Sequence, residues 1–349
     1  MKVFTRDYRI TGEYHDLWSL YFGDLKPCVL DIEATGLDRS RCKCVLIGLL
    51  MRTDSGVRIT QFLAENHYEE YKVLDAAMDY LEENNAGCLI TFNGHAYDVP
   101  FINARLDANL MDRHLSMYNF DLYRFLVKCT DLKSRIGSMS QMSIEDHYGI
   151  LTDRRDTING RESVALFDQY ALNGNSTIEK VILTHNREDV LHLHRLMFLS
   201  LAEVPDMHQA LAAYGLPAAG GRLSVRPHIK KSGSAKDPRY TLKINGEQIK
   251  DPVACAYFPD DEIPATAVFN QGSRSLEIEI PLSHRGEDCY LDISGFIKKS
   301  AASDAHTYCD QPASLRDDPD CINDFLILDP RTVNLVSRAL AGFYLDFPD

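Results

Sequence analysis

The sequence predicts an α/β fold, a mixed sheet flanked by helices, followed by a smaller β-rich domain. Three observations carry this. Three apolar runs separated by short turns come early, helix-period and strand-period runs alternate behind them, and the pattern changes to short alternating strands after Val204-Pro205. At 349 residues the chain also exceeds the usual single domain, so two are expected, residues 1–204 and 205–349.

The early strands are Cys28 to Glu33, Cys44 to Met51 and Val57 to Leu63, broken around Gly36 and at Asp54-Ser55-Gly56. Their short connections make them antiparallel neighbours. Tyr71, Leu74, Ala77, Met78 and Leu81 then recur at helical spacing, and "GCLITFNG" supplies a fourth strand at about Cys88 to Phe92. A helix follows from Val99 to Leu110, with Pro100 tolerable in its first turn. Phe120 to Leu126 reads as a short strand running into a helix, and helical pieces from Ser138 end in a long amphipathic stretch from Thr177 to about Ala202. Beyond it, "AAYGLPAAGGRLSVRP" has the composition of a connector. "RYTLKING" suggests a hairpin turning at Asn245-Gly246, "SLEIEIPL" and "CYLDISGF" read as strands, and a helix from Thr332 to Gly342 closes the domain.

With 45% hydrophobic and 25% charged residues the composition is that of an ordinary globular protein with ample core. No run approaches the length of a membrane span, and "MKVFTRDYRITGEYHDL" lacks the apolar stretch of a signal peptide. The nine cysteines show no zinc-site spacing, and Cys42 and Cys44 form an isolated C-x-C, so idle thiols in the cytoplasm are expected. A net charge of -14 argues against coating nucleic acid by bulk attraction. Locally the balance reverses. Arg222, Arg226, Lys230, Lys231, Lys236, Arg239 and Lys243 face a single acid, Asp237, within one short band. From Asp304 onward the chain turns acidic, a tail able to shield that band or to meet a partner.

Candidate chemistry lies in the acids. In "VLDIEATGL" an apolar strand delivers Asp31 and Glu33, which two-residue spacing points to one face. Acid-x-acid is common by itself; its place at the end of an apolar strand, before Thr35-Gly36, is what distinguishes it. In "ITFNGHAYDVPFI" a second strand ends at Asn93-Gly94, and Asp98 stands at the mouth of the next helix, where an N-cap is the ordinary role. In "LTHNREDVLHLHRL" His185 and Asp189 are four apart and so share a helix face. His192 and His194 read as ordinary helix histidines, Asp121 as a cap or an Arg124 partner, and Glu145, Asp146 and His147 as a solvated helix face. Four carboxylates converging on one point would repel strongly without cations. Their hard oxygen donors select Mg²⁺ or Mn²⁺, and suit two such ions about 4 Å apart in an in-line phosphoryl displacement.

"DIEATG", "NGHAYD" and "HNRED" resemble, in order, the three motifs of the DEDD superfamily of 3′–5′ exonucleases, which have a ribonuclease H-like fold. The phrases "LIGLL", "QFLAEN", "LITFNG", "DLYR" and "HNREDVLHL" are similar to its YprB-like branch. The resemblance covers roughly residues 25 to 200. It implies that Asp31 bridges two metal ions, that Glu33 and Asp189 complete one site, that Asp98 serves the other directly or through water, and that His185 orients and deprotonates the attacking water. In the superfamily's histidine subclass that residue stands five before the last aspartate. His185 stands four before Asp189, the register of the tyrosine subclass. A general base held in the tyrosine's place is therefore expected.

Thr35, Gly36 and Asn93 are candidates for backbone contact with a terminal nucleotide. Arg226, Lys230 and Lys231, with Tyr240 nearby, are candidates for a single-stranded DNA or RNA track, a solvated loop being the alternative. Two rival functions remain: a structure-selective endonuclease on the same fold, and a binding module without activity, against which the intact acid set speaks. The sequence names no helicase or other protein partner and does not separate DNA from RNA.

Overall fold

A computed structural model describes residues 1–9, 16–23, 25–155, 158, 160–302, 315 and 318–346. They divide into two compact units, one of 1–15 with 25–204 and one of 16–24 with 205–349. The short helix α1 (Asp16–Phe22), which follows strand β1 (Lys2–Tyr8), thus belongs to the second unit.

The first unit is built on a six-stranded mixed sheet. Strands β2 (Lys26–Ala34), β3 (Cys44–Thr53) and β4 (Gly56–Leu63) form an antiparallel meander, and β1 adds to β4 as an antiparallel edge. After helix α2 (Glu70–Glu83), β5 (Ala86–Thr91) pairs parallel to β2. After α3 (Asp98–Ala108), β6 (Tyr118–Asp121) pairs parallel to β5, giving the order β1-β4-β3-β2-β5-β6. β2 and β3 are central because nearly all of their side chains are buried, as unbroken apolar runs require. α2 buries Val73, Leu74, Ala77, Met78 and Leu81; the predicted stripe is corrected at Tyr71, which is half exposed, with Val73 taking the buried place. Helices α4 (Leu122–Cys129), α5 (Leu132–Ile136), α6 (Gln141–His147) and α7 (Gly160–Asn173) lead to α8 (Ser176–Leu201), which packs on β2 and β3. Asn175 caps α8 by accepting from the amides of Thr177 and Ile178.

The second unit is β-rich and antiparallel. After α9 (Met207–Tyr214), β7 (Leu216–Ala218), β8 (Leu223–Ser234) and β9 (Asp237–Gln248) run as a continuous meander. β10 (Cys255–Tyr257) pairs with β11 (Thr266–Asn270), and β11 with β12 (Ser275–Arg285), which also pairs with β9. β13 (Asp288–Asp292) extends the sheet from β12; after α10 (Ser294–Ala302) it is joined by β14 (Cys321–Ile322) and β15 (Phe325–Ile327). α11 (Pro330–Leu345) starts at a capping box in which Asp329 and Thr332 satisfy each other's amides. Its Arg338 donates to the carbonyls of Pro217 and Leu20, and its Asn334 to the Tyr21 hydroxyl, which joins α1 and β7 to the closing helix.

Two local expectations are corrected. The Gly/Ala/Pro-rich stretch is not a connector: Leu216, Leu223 and Val225 are fully buried, and β7, with Pro217 on an edge strand, turns through Gly220-Gly221 into β8. Nor do Asn245 and Gly246 form a turn. Both lie inside β9, opposite Arg226 and Val225 on one side and Glu277 and Leu276 on the other. The hairpin turns instead at Ala235-Lys236, between the paired Ser234 and Asp237, and Gly233 just before it takes φ +82°. The basic band is accordingly a hairpin of the sheet rather than a solvated loop. Of the acidic tail, Asp304, Asp310, Asp317 and Asp349 lie outside the described residues.

Gly246 is a glycine for room rather than for turning, since a Cβ there would stand 2.5 Å from the Ser224 carbonyl oxygen. Gly246→Ala is expected to destabilise the second unit by about 1–3 kcal/mol. A thermal melt followed by circular dichroism checks this, and an unchanged midpoint would contradict so close an approach of β8 and β9.

Candidate metal centre

β2 sets the first pair of acids. Asp31 and Glu33 share the sheet face on which Asp31 opposes Gly48 of β3, and Gly48 opposes Gln61 of β4. Gly48 leaves space that a larger residue would fill: a Cβ there would overlap the Asn186 carboxamide of α8. Asn186 uses that space to donate 2.9 Å to Asp31 Oδ2, and its own oxygen accepts from Gln61 Nε2 at 2.8 Å. The register of β2 against β3 shifts between Glu33 and Ala34, and beyond it Thr35 is taken up in the turn. Its amide donates to the Lys43 carbonyl and its hydroxyl accepts from the Lys43 amide, each at 2.9 Å. Gly36 accepts from the Tyr97 hydroxyl at 3.3 Å.

Asp98 arrives from the end of β5. The chain leaves that strand through Asn93, in the left-handed region at φ 63°. Asp121, fully buried at the end of β6, caps α4 through the Arg124 amide and also accepts from the amides of Asn93 (2.9 Å) and His95 (3.0 Å). One carboxylate thus pins the loop that carries another. Asp98 is the first residue of α3, and its Oδ1 accepts from the Ile32 amide on β2 at 3.3 Å. The N-cap expectation is corrected: Tyr97 holds the N-cap position of α3, and Asp98, one residue inside the helix, instead ties α3 to the strand of the other acids.

α8 brings the rest. His185 Nε2 lies 3.6 Å from Glu33 Oε1 and 3.6 Å from Asp189 Oδ2. Among the described residues, Glu33, His185 and Asp189 each offer a donor atom within 4.8 Å of the others. Asp31 and Asp98 stand outside that trio. They join it through the shared strand, the Ile32 bond and mutual repulsion. Burial, then the charges of Asp189, Asp98 and Glu33, push the Asp31 carboxyl well above the usual range, against the lowering effect of Asn186. Burial likewise raises Asp98 to about 7; its amide bonds lower it, and the charges of Asp121 and Glu33 raise it further.

Each of the four carboxylates has one oxygen held by a protein donor: Asp31 by Asn186, Glu33 Oε2 by Ser163 at 2.8 Å, Asp98 by Ile32, and Asp189 Oδ1 by Arg154. Four carboxylates with one imidazole, half-buried to buried and mutually repelling, fit a hard divalent cation.

Several of these residues escape a reading of the sequence. Glu145 is corrected from a solvated position to a fully buried one, while Asp146 and His147 are exposed. Its carboxylate accepts from Arg154 at 2.9 and 3.0 Å and from Gln141 at 2.9 Å, with His192 Nδ1 at 3.0 Å. Burial alone would raise its pKa, but the His192 bond, the Arg154 charge and Gln141 outweigh it and hold the carboxyl below its ordinary value. Asn186 and Gly48 carried a signal, a polar residue beside His185 and a glycine interrupting an apolar run. Arg154 carried none.

Of the basic candidates, Arg226 and Lys230 point to one face of β8, while Lys231 points to the other, its ammonium 5.4 Å above the Tyr240 ring. All three belong to the second unit.

The sheet order, its flanking helices and the acids on its central strand define the first unit as a ribonuclease H-like domain. Residues 28–200 match the sequence model of a family described as RNase_H superfamily. A solved structure of the family B DNA polymerase from the hyperthermophilic archaeon Pyrobaculum calidifontis is similar at 15% identity with a TM-score of 0.41, over 67% of this chain and 33% of the polymerase. The chain thus spans about a third of that protein's length. No curated protein matches it. Among the described residues, no helix is long and apolar enough to cross a membrane.

A raised carboxyl pKa makes the folded state hold a proton that the unfolded state has released, so stability falls as pH rises from the ordinary carboxylate range to about 7. In chelator, Asp98→Asn should therefore stabilise the protein little near pH 4–5 and by on the order of 2 kcal/mol above pH 7. Denaturant melts across that window test this; a pH-independent difference between the two proteins would refute it.

Proposed function

We propose that this chain is a metal-dependent 3′–5′ exonuclease of the DEDD type, in its YprB-like branch, acting on single-stranded DNA or RNA. The observation that carries the reading is the cluster of Glu33, His185 and Asp189, with Asp31 on the same face of β2 as Glu33 and Asp98 bonded to that strand through the Ile32 amide. The ribonuclease H-like fold supports a nuclease. Two divalent cations, Mg²⁺ or Mn²⁺, held by the four acids would activate the attacking water and balance the charge of the phosphoryl displacement.

The chain's own residues supply the rest. His185, between Glu33 and Asp189, takes a proton from the water as its oxygen bonds to phosphorus; the 3′-oxygen of the preceding nucleotide leaves with the bonding electrons and gains a proton. The two carboxylates beside His185 stabilise the imidazolium so formed. Asn186, Ser163 and the Ile32 amide keep the acids oriented before substrate arrives, so little reorganisation is needed at the moment of reaction. Thr35, Gly36 and Asn93 lie on the turns that follow β2 and β5, where backbone would meet a terminal nucleotide.

Incubation of 3′- and 5′-labelled single-stranded DNA and RNA with Mn²⁺ or Mg²⁺ should give stepwise shortening from the 3′ end. Chelator or Asp31→Ala should abolish it, by on the order of a thousandfold or more. The same ladder identifies the preferred sugar. Internal cuts in structured substrates alone would transfer the reading to an endonuclease, and binding without cleavage to an inactive module.

Arg226 and Lys230, with Arg239 placed opposite Ser232, share the outward face of the β8–β9 hairpin, which would hold phosphates of the strand. Arg226→Ala with Lys230→Ala should weaken single-strand binding and reduce the salt dependence of the affinity by about one to two phosphate contacts. Fluorescence anisotropy at several salt concentrations reads this; parallel salt plots for both proteins would remove the hairpin from the track.

A further inference from the structure

Behind Asp189 lies a buried charged bridge that the four acids and His185 do not account for. Arg154 follows the 3-10 turn Leu151–Asp153, and its side chain is only 5% exposed. Its Nη1 donates to both oxygens of Glu145, at 2.9 and 3.0 Å, while its Nη2 donates to Asp189 Oδ1. Glu145 is itself anchored from two sides, by Gln141 on its own helix and by His192 on α8, three residues beyond Asp189. Gln141 also donates to the Asp189 backbone carbonyl at 3.1 Å, so α6 grips α8 directly at both Asp189 and His192.

From this geometry we infer that Arg154, braced by Glu145, is a positioning residue that fixes which oxygen of Asp189 faces the metal centre. The inference rests on the metal-dependent reading above. A carboxylate turns about its last side-chain bond, and either oxygen can take either place. With Oδ1 held by the guanidinium, Oδ2 is the oxygen that stands 3.6 Å from His185 Nε2, on the side of Glu33. Ser163 sets Glu33 in the same way, through Oε2.

Orientation, rather than added charge, is what Arg154 contributes. Its pairing with Glu145 offsets part of its positive charge, while the guanidinium fixes the direction of a hydrogen bond to Asp189. The planar fork is essential because it reaches two carboxylates at once in fixed geometry; a lysine ammonium is a single point donor on a flexible stem. Groups that orient metal-ligating side chains commonly change metal affinity by 10–100-fold when removed.

The test is Mn²⁺ binding to the full chain without nucleic acid, followed by electron paramagnetic resonance of free Mn²⁺ and by calorimetry. Wild type, Asp31→Ala, Arg154→Gln, Arg154→Lys and Glu145→Gln are compared, with circular dichroism melts alongside. Arg154→Gln should weaken Mn²⁺ binding about tenfold or more. Arg154→Lys should weaken it comparably despite keeping the charge, and Glu145→Gln should do so by releasing the brace. Arg154→Lys makes the smallest change to the buried site and carries the test if the neutral variants do not fold. Folded Arg154→Lys that binds Mn²⁺ as tightly as wild type, or more tightly, would overturn the positioning role and leave the metal centre standing. Wild type with no Mn²⁺ binding that Asp31→Ala removes would instead overturn the metal-dependent reading itself.

Discussion

Repulsion among buried carboxylates is the constraint to which the first unit answers. Asp31, Glu33, Asp98 and Asp189 come from three separate segments, and in a medium of low polarity their like charges raise one another's pKa as burial does. Such an arrangement survives only if the surrounding fold is rigid enough to impose it. The central position of β2, bonded on both sides and buried on both faces, provides that rigidity. So does the antiparallel partner β3, whose Gly48 lets α8 approach closely enough for Asn186 to reach Asp31. On the proposed metal-dependent reading, the same repulsion would favour a divalent cation, because a bound ion would relieve it.

The holding groups differ in kind, and the difference follows from burial. Asp98 and Asp121 take backbone amides, the donors a loop or helix start presents most cheaply. Asp31 and Glu33 take neutral side chains, Asn186 and Ser163. Asp189 takes a cation, Arg154, and a buried cation requires an anion to offset its desolvation. Glu145 meets that requirement, and His192 and Gln141 in turn satisfy Glu145.

How much of this was legible in the sequence depended on how local the cause was. The fold class could be read because its cause is local: period-2 and period-3.6 apolar patterns mark β2 to β5, α2 and α8. The candidate acids stood out because a carboxylate inside an apolar strand has no structural excuse. Glu145 and Arg154 were illegible because their burial is a tertiary fact. The pair is nine residues apart, and Arg154 meets Asp189 across 35. As sequence, "SIEDH" and "DRRD" look like solvated charge. β1 was missed for the opposite reason: as an exposed edge strand it buries little and so carries little pattern. Asn245-Gly246 misled because a local turn preference lost to pairing on both sides of β9.

The same strand geometry reshapes the basic band. Seven positive residues in a row suggested a continuous track, but alternation along β8 and β9 divides them between two faces. Lys231 is turned onto Tyr240, and Lys243 is drawn to Glu279 and Glu277 on the neighbouring strand. Arg226, Lys230 and Arg239 remain on the outward face, the last beside Asp237 at 3.8 Å. On the proposed exonuclease reading, so few outward cations on a chain of net charge -14 would make a weak and salt-sensitive grip. A weak grip would suit an enzyme that moves along a strand after each bond it breaks, since tight phosphate contacts would slow every step.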